Sequence, residues 1–226
     1  MKKITLLLLT LNYCVLAFCQ EAKYLAELDS SIGIENLPFH SGIFHLDVLK
    51  PSSDSPTDIY FLSEIKLGAF IYNNQLYSDL NLKYDVYNDQ LVYYHSNTAT
   101  NGGIVLERTK IKEFFLEDYH FIKNDSLGYM ELKFNFKNNS KLLIKHFKGK
   151  LERVNSKGIS WYFQNKSYFY FENNEGLFLI KNKKSVTKLF PKKKEEISHF
   201  YKNNDLLLKN DKTDFYKKLF QSLYEN

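Results

Sequence analysis

The sequence predicts a mainly β (β+α) protein, in which an antiparallel meander forms a curved sheet or half-barrel and two or three short C-terminal helices follow. Three observations predict this fold. Apolar and polar residues alternate with a period of two through much of the region from Ile43 to Lys181. Turn-forming residues divide that region into segments of roughly eight to twelve residues. After Lys181 the apolar residues take up helical spacing instead.

The strand pattern is clearest in two segments. In Met130–Lys137 and in Leu80–Tyr87 every second side chain is apolar and most of the others are polar, as in strands that bury one face. Asn88-Asp89 interrupts the second segment, and Leu91–His95 resumes the alternation. This arrangement predicts a β-hairpin with its turn at Asn88-Asp89.

Two further hairpins are predicted downstream. One turns at Asn138-Asn139 and the other at Asn165-Lys166, each between two strand-like segments. Asparagine favours both turns because it tolerates the left-handed backbone conformation that tight turns require.

The C-terminal tail is predicted to be helical. Ser185 is expected to cap a short helix that stops before Pro191, and Pro191 suits the first turn of the next helix. Asp211 and Asp214 have the spacing of a capping box at the start of a last helix. The predicted organisation is therefore a signal peptide at 1–19, an antiparallel β domain at 20–184 and a helical tail at 185–226 packed on the same domain.

The N-terminal sequence predicts export. Two lysines precede the apolar stretch Ile4–Phe18, and the small residues Ala17 and Cys19 stand before Gln20. These are the three parts of a cleavable signal peptide, so we expect cleavage before Gln20.

Two alternatives to cleavage before Gln20 remain open. Retention as a membrane anchor is less favoured, because the apolar stretch contains Thr10 and Asn12 and is shorter than the ~20 residues that span a bilayer. Lipidation at Cys19 is less favoured because the bulky Phe18 stands where a small residue is expected.

Composition limits the partners that the mature chain would bind. Cys14 and Cys19 are the only cysteines among the 226 residues, so loss of the signal would leave no disulfide. It would also remove Lys2 and Lys3 and no acidic residue, which lowers the formal net charge from +5 to +3. So small a charge argues against a nucleic-acid partner, and no second apolar span follows the signal.

No local motif predicts catalysis, a metal or a cofactor. The 6 histidines are scattered, and His40 and His45 lack a third ligand nearby. No G-x-S-x-G nucleophile elbow occurs. The acidic pair Asp85 and Asp89 suits an ordinary turn, and the basic run Lys192–Lys194 suits a solvated helix face. We therefore expect a protein that is not an enzyme.

An aromatic cluster supplies the candidate binding residues. Neighbouring aromatic side chains on a strand point to opposite faces, so one set fills the core while the other needs a cover. The tail helices, a partner or a ligand would provide that cover. The candidates are Trp161, Tyr162, Phe163, Tyr168, Phe169 and Tyr170.

Four stretches of the chain carry a resemblance to a known family. They are the signal exit Phe18-Cys19-Gln20, the run Leu80–Leu91, the pair of strands in Gly128–Phe147 and the tail segment Lys183–Tyr201. In these stretches the chain resembles uncharacterised secreted proteins of Bacteroidetes. The resemblance implies a place in the envelope of a Gram-negative bacterium, and it implies no activity.

The predicted function is that of an exported non-enzymatic envelope protein, periplasmic or associated with the outer membrane, that acts through a protein- or ligand-binding surface. The alternative is a periplasmic carrier of a lipid or another apolar ligand, because a curved sheet closed by helices leaves a concave apolar face. An envelope hydrolase is the least favoured of the three classes.

Overall fold

The structure is a computed structural model that describes residues 28, 31–45, 58–95, 102–137, 139–155 and 158–225. The predicted signal peptide at 1–19 lies outside these residues. The chain divides into two compact units, Met1–Ile43 and Phe44–Asn226. In the first unit, short 3-10 helices span Ile34–Asn36 and Pro38–Ser41.

One large sheet dominates the structure, as the alternating sequence pattern predicts. Its strands are β1 (Ile43–His45), β2 (Lys66–Tyr72), β3 (Gln75–Asp85), β4 (Gln90–Tyr94), β5 (Gly103–Val105), β6 (Ile111–Leu116), β7 (Tyr119–Asn124), β8 (Gly128–Asn135), β9 (Lys141–Asn155), β10 (Gly158–Asn173) and β11 (Gly176–Ile180). The strand order is β1-β5-β4-β3-β2-β6-β7-β8-β9-β10-β11, and neighbours from β5 to β11 pair antiparallel. β1 and β11 stand at the two edges, so the sheet is open.

The sheet curves strongly. Tyr84 on β3 and Tyr129 on β8 lie four strand positions apart, which would separate them by about 19 Å in a flat sheet. Their ring centroids are only 6.0 Å apart. Phe114 and Phe121 stack between these strands at 4.6 Å and are fully buried. The predicted curved antiparallel sheet is therefore confirmed, and aromatic side chains fill its concave side.

Two of the predicted hairpins are confirmed. β3 and β4 are joined by the predicted turn, where the Asp85 carboxylate accepts hydrogen bonds from the backbone N–H of Asn88 (2.9 Å) and from its Nδ2 (2.7 Å). Asp89 closes this turn with a left-handed φ of 57°. β8 and β9 are joined at the second predicted turn, where the Asn139 N–H donates to Phe136 O at 3.0 Å and Asn139 has a φ of 63°.

The predicted hairpin at Asn165-Lys166 is wrong. β10 runs without interruption from Gly158 to Asn173, and Asn165 and Lys166 pair with Lys148 and Phe147 of β9. The turn preference of asparagine is weak and local. Here it is overridden by continuous cross-strand pairing with β9.

The C-terminal tail forms four α-helices within the described residues, one more than the upper expectation: α1 (Lys183–Leu189), α2 (Lys194–Asn203), α3 (Asp205–Asn210) and α4 (Lys212–Glu225). The N-cap of α1 is Asn182 and not the predicted Ser185. The Asn182 side chain accepts a hydrogen bond from the Ser185 N–H, and in return Ser185 Oγ accepts one from the Asn182 N–H. This reciprocal capping box moves the helix start three residues upstream. The predicted cap at Asp211 is confirmed, since its Oδ1 accepts from the Asp214 N–H at 2.9 Å.

The helices pack on the last strands of the sheet. Val186, Ile197, Phe215, Leu219, Phe220 and Leu223 from the helices share one buried cluster with Phe136, Leu142, Phe171 and Ile180 from the sheet. Short helices are marginal in water by themselves, so this apolar cluster is what holds the tail in place.

Candidate functional site

β9 and β10 are longer than their neighbours and continue past them. They pair with each other from Lys141↔Glu172 to Asn155↔Gly158. In the described part of the chain, β8 follows β9 only to Ile144, and β11 follows β10 only to Phe169. Residues 145–155 and 158–168 therefore form a two-stranded extension, which we call the outer ribbon.

The outer ribbon has two faces, because residues directly opposite in an antiparallel pair share a face and successive residues alternate. The register places Phe147, Leu151, Tyr162 and Tyr168 on one face, which we call the Phe147 face. It places His146, Lys148, Phe163, Asn165 and Ser167 on the opposite face, which we call the His146 face.

The Phe147 face carries an exposed apolar strip. Phe147, Leu151 and Tyr168 are 39%, 38% and 42% exposed, and the Phe147 and Tyr168 rings lie 5.5 Å apart edge to face. Gly149 lies between Phe147 and Leu151, and the nearest atom to a Cβ built there would be Gln164 O at 3.8 Å. The strip is therefore shallow and open.

The six predicted binding residues do not form one surface. Tyr162 and Tyr168 share the Phe147 face, whereas Phe163 is only 3% exposed and packs with Ile59 and Tyr60. Phe169 packs against the buried cluster beneath the helices.

Two of the six need separate mention. Tyr170 is half-buried, and burial raises the pKa of its hydroxyl. Trp161 occupies the β10 position opposite Glu152, and its side chain lies outside the described residues. The aromatic pattern thus marked one strand of the ribbon, β10, and not the hairpin that was predicted there, and it could not show which rings remain accessible.

The His146 face carries a line of polar side chains that the sequence analysis missed. Ser167 is the direct cross-strand partner of His146, and its Oγ lies 3.0 Å from His146 Nδ1. The other ring nitrogen, Nε2, lies 2.7 Å from Glu131 Oε2 on β8. A serine hydroxyl, an imidazole and a carboxylate are therefore joined in series across three adjacent strands.

Glu131 anchors this line from inside the protein. Its side chain is 3% exposed, and its Oε1 forms an ion pair with Lys133 Nζ at 2.5 Å. Burial raises the pKa of Glu131, but the hydrogen bonds from His146 and Lys133 outweigh it, so this pKa lies below its ordinary value. Glu131 is therefore held as a carboxylate.

A small pocket of about 130 Å³ lies beside Ser167. Phe61, Val86, Lys148 and Asn165 are among its other lining residues. The Phe61 ring lies 4.9 Å from the His146 ring and covers one side of it. The imidazole is thus partly shielded from water, with its side chain 19% exposed, while Ser167 remains exposed.

A second polar cluster centres on Asp89, at the β3–β4 turn. The Asp89 carboxylate accepts from Tyr84 Oη (2.5 Å), Lys145 Nζ (2.7 Å) and Arg108 Nη2 (2.9 Å). It also accepts from the backbone N–H of Tyr129 at 3.3 Å. Because this one carboxylate binds groups from β3, β8 and β9, the Asp89 cluster fixes the curvature of the sheet.

Asp89 and Lys145 are largely withdrawn from water, whereas Arg108 is partly exposed. The Lys145 side chain is 4% exposed, and burial lowers the pKa of its ammonium while the Asp89 charge opposes this shift. Burial, followed by the Asp89 charge, raises the pKa of the Tyr84 hydroxyl well above its ordinary value. Since the carboxylate already accepts four hydrogen-bond donors, we assign the cluster a structural role.

The described residues contain no group of three or more His, Cys, Asp or Glu side chains placed to hold a metal ion. His45, considered above as a metal ligand, has its Nε2 2.8 Å from Tyr60 Oη. No helix among the described residues has the length and apolar character needed to cross a membrane.

Comparison with known proteins gives no relative from which a function could be inferred. No family model, no curated protein and no solved structure matches the chain. The resemblance to secreted proteins of Bacteroidetes stays a prediction.

Proposed function

We propose that the protein is an exported binding protein of the bacterial envelope, which contacts a partner protein through the Phe147 face of the outer ribbon. Catalysis has no part in this role. The observation that carries the proposal is the exposure of Phe147, Leu151 and Tyr168 on a ribbon that extends past the strands beside it. A two-stranded ribbon is marginally stable in water, so a surface that covers it would stabilise it.

The shape of the strip favours a protein over an apolar small molecule. From Tyr168, opposite Lys145, to Leu151 the strip runs six residues along the strand, or about 20 Å. It is open, and polar Gln164 and Lys166 lie on the same face. Exposed aromatic residues interspersed with polar ones are common in protein–protein contacts.

The carrier alternative receives less support from the two pockets described. The pocket beside Ser167, at about 130 Å³, is smaller than the roughly 300 Å³ at which ligand sites begin. A second pocket, of about 510 Å³, lies between α2 and α4 and is lined in part by Glu195, Glu196 and His199. This pocket is open to solvent, so it would leave much of an acyl chain in contact with water.

The proposed location rests on the sequence alone. The basic start, apolar stretch and small-residue exit before Gln20 support export, and the resemblance supports the envelope of a Gram-negative bacterium. The intact mass of the protein purified from its own cells would distinguish cleavage before Gln20 from lipidation at Cys19.

Site-specific photo-crosslinking in the producing bacterium tests the binding role. A photoreactive residue would replace Leu151 in one variant and Leu76 in a control, because Leu76 is 59% exposed on β3, away from the ribbon. We expect one dominant protein adduct from position 151, absent from position 76 and about tenfold weaker when Tyr162→Asp is added. A lipid adduct, equal adducts from both positions, or no adduct would overturn the proposal.

A further inference from the structure

We propose that Ser167, His146 and Glu131 form a nucleophile, a general base and an orienting carboxylate that hydrolyse esters of short acyl groups. The side chains of these three residues lie on the opposite face of the outer ribbon from the proposed binding surface, although Phe147 and Lys166 also line the pocket beside Ser167. Such a site departs from the expectation of a non-enzymatic protein.

The hydrogen bonds define the proton positions that this chemistry needs. An ionised Glu131 can only accept, so His146 Nε2 carries the ring proton and donates it to Glu131 across 2.7 Å. His146 Nδ1 is then unprotonated and accepts the hydrogen bond of Ser167 Oγ–H across 3.0 Å. The imidazole is therefore in the tautomer that can remove the serine proton.

The surroundings of His146 hold its ring in the orientation that the reaction needs. The buried carboxylate of Glu131 lies 2.7 Å from His146 Nε2 through one oxygen, and Lys133 holds that carboxylate from its other oxygen. Ring contact with Phe61 keeps the imidazole in place. Ser167 itself is exposed, so a substrate can reach its Oγ.

The next cross-strand pair supplies groups for the developing negative charge. Lys148 and Asn165 lie directly opposite each other, two residues along the strands from His146 and Ser167, on the same face. Both line the pocket beside Ser167. An amide Nδ2 and an ammonium are the kinds of donor that stabilise the oxyanion of a tetrahedral intermediate.

The volume of the pocket limits the acyl group. At about 130 Å³ the pocket is smaller than the roughly 300 Å³ at which sites for drug-sized ligands begin. An acetyl or propionyl group fits this space, whereas a long acyl chain does not.

The reaction needs only water and the ester. Ser167 Oγ forms a bond to the carbonyl carbon while its proton passes to His146 Nδ1. The bond between the carbonyl carbon and the alcohol oxygen then breaks, and the alcohol leaves with that proton. Water then attacks the carbonyl carbon of the acyl-serine and gives one proton to His146. The bond between that carbon and Ser167 Oγ breaks, the acid is released, and the proton passes from His146 back to Ser167 Oγ. The products are one acid and one alcohol.

Hydrolysis of p-nitrophenyl esters by the purified protein tests the assignment. The variants are S167A and E131Q, with S78A as a control, because Ser78 is also an exposed strand serine. We expect S167A to lower kcat/KM at least about 100-fold, E131Q to lower it at least about tenfold, and S78A to leave it unchanged. Acetate should be cleaved at least about tenfold faster than octanoate.

A covalent probe gives a readout that does not depend on turnover. A fluorophosphonate should add to the wild-type protein once, at Ser167 by peptide mapping, and it should not add to S167A. Circular dichroism would establish that each variant is folded. Wild-type hydrolysis no faster than buffer, hydrolysis that survives in S167A, or labelling elsewhere would overturn the proposal.

Discussion

Asp89→Asn is the substitution that best tests the structural role of the Asp89 cluster. Asparagine is nearly the same size as aspartate and tolerates the left-handed φ of 57° at this position, so the turn itself is retained. The change removes the negative charge that faces Lys145 Nζ at 2.7 Å. The Lys145 ammonium, with its side chain 4% exposed, is then buried without its counter-charge.

The expected cost follows from the burial of this pair. Removing one partner of a buried ion pair costs about 3–5 kcal/mol, because the other charge stays desolvated. Arg108 adds less than about 1 kcal/mol, since its side chain is 44% exposed and screened by water. A typical domain is stable by only about 5–15 kcal/mol, so D89N should remove a large fraction of the free energy of unfolding.

Urea unfolding followed by circular dichroism measures this cost. K145M removes the other member of the pair, and the double variant D89N/K145M should lose clearly less than the sum of the two single losses. The control is K218M, because Lys218 pairs with Asp214 at the surface and its side chain is 55% exposed. K218M should change the free energy of unfolding by less than about 1 kcal/mol. A loss below about 1 kcal/mol for D89N, or losses that simply add, would refute the assigned role.

Three further predictions concern the core, one turn and pH. L219A should destabilise the protein by about 2–5 kcal/mol in urea unfolding, because Leu219 is fully buried between helix and sheet. L206A shortens a side chain that is 75% exposed, so it should cost less than about 1 kcal/mol. Equal costs would contradict docking of the tail. G128A should lower the melting temperature more than G176A. Both glycines have positive φ, but only a Cβ at Gly128 would collide with the Asp89 carboxylate. The reverse order would show that the Asp89 cluster can rearrange around the added methyl group at little cost. Glu131 has a lower pKa in the folded than in the unfolded chain, so its contribution is present above the ordinary value of 4.5 and is lost as pH falls through the folded pKa. Wild-type stability should therefore fall more steeply than that of E131Q below pH 4.5, and parallel pH profiles in urea unfolding would exclude this linkage.

Local signals in the sequence were sufficient for much of the fold. The alternation in Leu80–Tyr87 and Met130–Lys137 predicted strands because a half-buried strand imposes a period of two on its own residues. Asn88-Asp89 predicted its turn because turn chemistry involves neighbours along the chain, here Asp85 and Asn88. Asp211 predicted a helix start for the same reason.

Local signals failed where a distant segment competes with them. Asn165-Lys166 has the composition of a turn, yet it lies inside β10 because β9 pairs with it residue by residue. Ser185 is a good cap by type, but Asn182 takes that position within the capping box. The accessible aromatic residues were also undetermined, because burial of Phe163 depends on Ile59 and Tyr60, about a hundred positions earlier in the chain.

The composition and periodicity by themselves determined a β-rich chain with a helical tail, since these properties depend on residues close together in sequence. Only the tertiary structure decided which polar groups meet. His146 is 21 residues from Ser167 and 15 from Glu131, and Lys145 is 56 from Asp89. No local pattern encodes such distances, because they are set by the register of β8, β9 and β10 and by the curvature of the sheet. A shift of one residue in that register would move Ser167 to the opposite face from His146, and the candidate catalytic line would not exist.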